Sequence, residues 1–102
     1  MNVISRPAIR EAQRRHPDIA DWLDHWWQVA KLARWQSLHD VRVTYPATDQ
    51  VGHCLVFNVR GNKYRFIVGV SYASEERGGT LFIKHFLTHA EYTKGQWRED
   101  CQ

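Results

Sequence analysis

The chain has 102 residues, 43% hydrophobic and 25% charged, with a formal net charge of +3 at pH 7. That length suits one domain with a small core, and the composition excludes wholesale disorder. The mild positive excess permits a polyanionic partner without requiring one, and no apolar run approaches the roughly 18 residues of a membrane span.

The N-terminal stretch "MNVISRPAIREAQRR" lacks an apolar signal core, so a soluble cytoplasmic protein without membrane contact is expected. "NVI" reads as a short first strand. Ser5 suits a helix N-cap and Pro7 the first turn, and the helix should end near His16 because Pro17 disfavours helical geometry before it. A second helix is expected over "DIADWLDHWWQVAKLARW". Ile19, Leu23, Trp26, Ala30 and Ala33 recur at helical spacing, and Trp22, Trp27 and Val29 widen the stripe. Asp18 and Asp21 fall in its first turn, Lys31 and Arg34 in its last, both favourable to the helix dipole. Four of the five tryptophans lie in this region and are read as core.

Ser37 caps a short helical turn that Pro46 ends, and a polar loop with Asp49 and Gly52 follows. The pattern then turns to β: "CLVFNV", a turn at "RGN", "KYRFIVGVSY", a polar loop "ASEERGG", and "TLFIKHFLTHAEY". Helices gathered on one face of an antiparallel sheet make a two-layer α+β domain. The tail from about residue 95 to 102 offers no pattern and is expected to be flexible. Cys54 and Cys101, far apart in the chain, are expected as free thiols.

No acidic residue occurs between Asp49 and Glu75, yet Arg60, Lys63 and Arg65 lie there. Strand alternation puts Tyr64, Phe66, Val68, Val70 and Tyr72 on one face and Lys63, Arg65, Ile67, Gly69 and Ser71 on the other. The cations therefore share the side that the core does not need. In "TLFIKHFLTHAEY" neither alternating set is purely polar, so its faces stay open. The cluster "THAEYTK" holds an imidazole, a carboxylate, a phenol and an amine; as a bland strand end it would only be solvated. His85 and His89 stand four apart, roughly 13 Å on a strand, too far to share one ion, and no metal site is expected.

"MNVISRPAIREAQRRHPD", the pattern Trp35, Ser37, Asp40, Val41, Tyr45 and Pro46, "VFNVRGNKYR" and "THAEYTK" occur in this order across nearly the whole chain. Together they resemble the HigB-type toxins of bacterial type II toxin–antitoxin systems, within the RelE superfamily. The resemblance implies a RelE-like fold, with the N-terminal strand and two helices on one face of a small antiparallel sheet. It implies a metal-independent, cofactor-free mRNA interferase that cuts messages on the ribosome and is silenced by a HigA-type helix-turn-helix antitoxin. In such a reaction the RNA 2′-hydroxyl attacks the adjacent phosphate, which calls for a proton acceptor, a proton donor and cations.

Carried onto this chain, the resemblance implies that Lys63 and Arg65 hold the scissile phosphate, with Lys63 alternatively a general base if neighbouring cations lowered its pKa. His89 is the acid–base candidate, and Tyr92 a base-stacking or proton-relaying group. Arg60, Asn62, Lys84, His85 and Lys94 are expected RNA contacts, His85 only as an accessory. Thr93 stands where these toxins usually carry Asp, and His85 where they carry an apolar residue. A basic RNA- or ribosome-binding module without cleavage is the competing reading.

Overall fold

The computed structural model describes all 102 residues. Strand β1 (Asn2–Ile4) leads into helix α1 (Arg6–Arg15); a 3₁₀ turn (Pro17–Ile19) joins it to α2 (Ala20–Leu32), and α3 (Leu38–Thr44) follows. Then come β2 (Asp49–Val51), β3 (Cys54–Val59), β4 (Tyr64–Ser71) and β5 (Thr80–Thr88), α4 (His89–Lys94) and a 3₁₀ turn over Gln96–Cys101. The five strands form one sheet in the order β1-β5-β4-β3-β2, antiparallel except for the parallel pairing of β1 with β5.

The local signals act as the sequence suggests. Ser5 Oγ accepts the Ala8 N–H at 3.4 Å, and Ser37 Oγ accepts that of Asp40 at 3.4 Å. The second helix begins at Ala20, two residues after Asp18, and ends at Leu32, leaving Arg34 beyond it. Its C-terminal carbonyls are capped by the chain's own amino group: the Met1 ammonium donates to Ala30, Lys31 and Ala33 oxygens at 2.8–3.0 Å. The loop expected at Asp49 contributes a short edge strand.

The main core lies between the helices and one sheet face. Ile9, Ile19, Leu23, Trp26 and Ala30 meet Leu55, Phe57, Phe66, Val68 and Leu81, all buried. Trp26 is fully enclosed, its ring edge-on to Phe66 (4.8 Å) and Phe57 (5.7 Å). The opposite face is not bare. Cys54, Val56 and Ile67 form a smaller core there with Trp97 and Cys101. The expected flexible tail is thus packed, and the two cysteines expected as free thiols form a disulfide.

The faces of β5, ambiguous by alternation, are settled by a register shift. Ile67 pairs with His85 but Val68 with Ile83, which leaves Lys84 unopposed. This extra residue reverses the alternation midway, so Leu81 and Phe86 both reach the main core although five apart. It also explains why a period of two failed to sort the strand. Truncating Trp26 to Ala should remove about 3–5 kcal/mol of stability by urea unfolding; a loss under about 1 kcal/mol would show that this ring does not anchor the core.

Candidate active site

The β3–β4 turn runs through Arg60–Lys63, with Arg60 (φ 52°) and Gly61 (φ 64°) both left-handed. A left-handed Arg is uncommon. Arg60 Nη1 donates to the Asp18 carbonyl at 3.4 Å and lies 3.6 Å from its carboxylate. Lys63 Nζ donates to Asp18 Oδ2 at 2.9 Å, and the Tyr64 hydroxyl lies 3.2 Å from both carboxylate oxygens. Three donors from one hairpin therefore share one acid.

The acid-free stretch of sequence is not acid-free in space: its partner comes from the 3₁₀ turn after α1, 45 residues before Lys63. The hydrogen bond from Lys63 holds the Asp18 carboxyl below its usual range, and the same bond holds the Lys63 ammonium above its own. That direction is opposite to the lowering on which a general-base role for Lys63 rests.

Arg65 has a different environment. Only 9% exposed, its guanidinium donates to Asn62 Oδ1 at 2.9 Å and to the Tyr64 carbonyl at 3.2 Å. The Tyr92 ring lies 5.1 Å from it, and no carboxylate is paired with it. Lys63 and Arg65, expected as one phosphate grip, therefore part: Lys63 leans to the helical layer while Arg65 lies beneath α4.

Helix α4 replaces the strand end expected at "THAEYTK". Thr88 Oγ1 accepts the Glu91 N–H at 3.2 Å and Glu91 Oε1 the Thr88 N–H at 3.0 Å. This is a capping box, and the spacing Thr-x-x-Glu in "THAE" was its visible signal. The bond from the Thr88 amide is the main reason that Glu91 sits below the ordinary carboxylate range. The helix starts beside the hairpin, because the His89 N–H donates to the Lys63 carbonyl at 3.0 Å. The His89 side chain is exposed. Thr93 Oγ1 donates to the His89 carbonyl at 2.9 Å, so it bonds main chain rather than either neighbouring base.

Tyr92 stacks on Trp97, rings 5.1 Å apart and 14° from parallel, while Arg65 lies over the same ring. Trp97 and the Arg65 guanidinium thus both pack against the Tyr92 ring. Trp97 was missed in the sequence because nothing in "GQWREDCQ" marks it.

The remaining expected contacts, Lys84, His85 and Lys94, have other partners. Lys84 reaches across Gly69, where a Cβ would come within 2.8 Å of Lys84 Cε. His85 Nε2 is 2.6 Å from Asp100 Oδ2, and Lys94 is exposed on the last turn of α4. His85, Lys94, Glu91, Trp97 and Asp100 border a cleft of about 280 Å³. None of the three bonds to Lys63, Arg65 or Asn62.

The Asp18–Lys63 pair has a pH signature. A depressed carboxyl adds stability that is complete above its unfolded midpoint, about pH 4, and lost as pH falls through the folded one. Lys63→Ala should move the Asp18 midpoint, followed by carboxyl NMR, back up toward the ordinary aspartate value. An unmoved midpoint would mean that the pair does not persist in solution.

A model of the HigB toxin family, described as the RelE-like toxic component of a toxin–antitoxin system, matches residues 19–95. Among curated proteins, the mRNA interferase HigB of Escherichia coli O6:H1 strain CFT073 is 28% identical over 97 residues, spanning 92% of this chain and 90% of that protein. No helix is long and apolar enough to cross a membrane.

Proposed function

The chain belongs to the HigB family of RelE-like toxins of toxin–antitoxin systems, and we propose that it is a ribosome-dependent mRNA endoribonuclease centred on Arg65. A toxic component of this kind implies an antitoxin partner, here a HigA-type helix-turn-helix protein, with both working in the cytoplasm. The observation that carries the reading is the Arg65 guanidinium, positioned by Asn62 and Tyr92 and matched by no acid. A fixed cation that lacks an internal counter-charge is suited to an external one, and a guanidinium fork fits phosphate oxygens.

In the proposed reaction the RNA 2′-oxygen attacks phosphorus as its proton passes to a base. The O2′–P bond forms, the P–O5′ bond breaks, and the leaving 5′-oxygen takes a proton from an acid. A 2′,3′-cyclic phosphate and a 5′-hydroxyl result. Arg65 carries the added charge of the phosphorane, where a preorganised donor contributes most. His89, exposed at the start of α4 beside the hairpin, exchanges the proton, since imidazole is the side chain suited to that near neutral pH. The Tyr92 hydroxyl is a second proton donor in reach of the same edge.

Lys63, Arg60 and Asn62 line the RNA approach. The exposed Lys63–Asp18 pair is of the weak, solvent-screened kind, so an incoming phosphate can displace it. Lys84, His85 and Lys94 bind RNA further along the strand.

Purified protein on translating ribosomes should produce new message 5′ ends bearing hydroxyls. Arg65→Ala should slow their appearance about 10²–10³-fold, and His89→Ala about 10²-fold or more, with thermal unfolding used to check that each variant is folded. Stalled but uncut message with the unaltered protein would instead favour the binding module. Cleavage undiminished in Arg65→Ala would remove Arg65 from the centre.

A further inference from the structure

Five contacts fasten the segment after Gly95 to the fold. Trp97 stacks on Tyr92, and its Nε1 donates to the Tyr92 carbonyl at 3.0 Å. Asp100 meets His85 at 2.6 Å. Cys101 is bonded to Cys54, 47 positions earlier, and its carbonyl accepts the His53 N–H at 2.9 Å. That carbonyl sits so close to Gly52 (φ 57°) that any Cβ there would come within 1.8 Å of it. Trp97 and Cys101 are 2% and 1% exposed, yet both lie outside the family match, which ends at residue 95.

We propose that the terminal turn Gln96–Cys101 is a redox-controlled latch on the nuclease centre. Trp97 is its positioning residue, holding Tyr92 against Arg65, and the Cys54–Cys101 bond holds Trp97. The inference rests on the reading of Arg65 and Tyr92 as that centre. A six-residue 3₁₀ run is longer than such turns usually sustain, and chain ends fray unless tied down. The tie here is covalent. It ties the turn that carries Trp97 to β3, so the ring stacked on Tyr92 stays in place beside Arg65.

The switch is thiol–disulfide exchange. A thiolate of a reducing dithiol attacks one sulfur of the Cys54–Cys101 bond, forming a mixed disulfide and releasing the other cysteine as a thiolate that takes up a proton. The reductant's second thiol displaces the remaining cysteine, which is protonated in turn, and the reductant ends as its own disulfide. Two electrons and two protons reach the protein. A low-molecular-weight disulfide reverses the step. Both sulfurs are buried, so exchange waits on the turn lifting, and once reduced the turn keeps only its non-covalent contacts. Tyr92 then loses its backing while the exposed cations that gather RNA are unchanged. The expected signature is lower kcat at nearly constant KM.

The test uses the full chain in four forms besides the oxidised one: reduced with dithiothreitol, Cys101→Ser, Trp97→Ala and Trp97→Phe. Amide exchange across His89–Lys94 and ribosomal message cleavage are both measured. Reduction, Cys101→Ser and Trp97→Ala should each speed exchange in α4 about 5-fold or more and lower kcat about 10-fold with KM within about 2-fold, whereas Trp97→Phe stays near the unaltered protein. Exchange and kcat that ignore both reduction and Trp97→Ala overturn the latch. If the oxidised protein cuts nothing, cleavage itself is refuted, and the exchange data still decide: α4 protection untouched by reduction overturns the latch independently.

Discussion

A guanidinium held nearly out of solvent with no acid beside it is the constraint around which this fold is arranged. Burying a charge without a counter-ion is costly, and the chain offsets that cost with polar and π contacts instead. Asn62 supplies an oxygen from the hairpin turn, Tyr64 a carbonyl, and Tyr92 a ring face from α4. Each comes from a different local structure: a left-handed turn, a strand and a short capped helix. Loss of any one leaves Arg65 less fixed, which matters in the proposed reaction because a cation stabilises a transition state by being in place before charge develops.

The two sheet faces divide the work. The helical face supplies stability through an aromatic core of Trp26, Phe57 and Phe66. The other face carries Arg65 and a small core of Cys54, Val56, Ile67, Trp97 and Cys101. Asp18 works in the opposite direction. It gathers Arg60, Lys63 and Tyr64 of the hairpin onto one carboxylate. Arg65 is left with no acid of its own, and the His89 side chain is exposed at the start of α4.

Much of the architecture was legible because its signals are local. Ser5, Ser37 and Pro17 mark helix ends, the spacing of Ile19, Leu23, Trp26 and Ala30 marks a buried stripe, and period-two alternation sorts β4. What escaped was non-local or masked by competing patterns. The bulge at Lys84 breaks the alternation of β5, so its faces could not be assigned from one periodicity. Asp18 reads as an ordinary helix-start acid until folding brings it to the hairpin. The pairing of Cys54 with Cys101 and the stacking of Trp97 on Tyr92 depend on where the chain end returns, which no spacing rule encodes. The capping box in "THAE" was readable but was outweighed by the apolar run before it. Of the nine residues singled out from sequence, Asn62, Arg65 and Tyr92 are in mutual contact through Arg65, and His89 joins Lys63 through a main-chain bond. Lys84, His85 and Lys94 bond to none of these side chains.

The central claim is that the uncompensated Arg65 guanidinium receives the scissile phosphate. A structure of the chain with a message fragment whose cleavage-site 2′-hydroxyl is methylated, bound in the ribosomal decoding site, tests it most directly. That phosphate should be seated on Arg65, with the His89 ring and the Tyr92 hydroxyl turned toward its oxygens. A scissile phosphate lodged on Lys84 or Lys94, with Arg65 still bonded only to Asn62 and Tyr64, would contradict it.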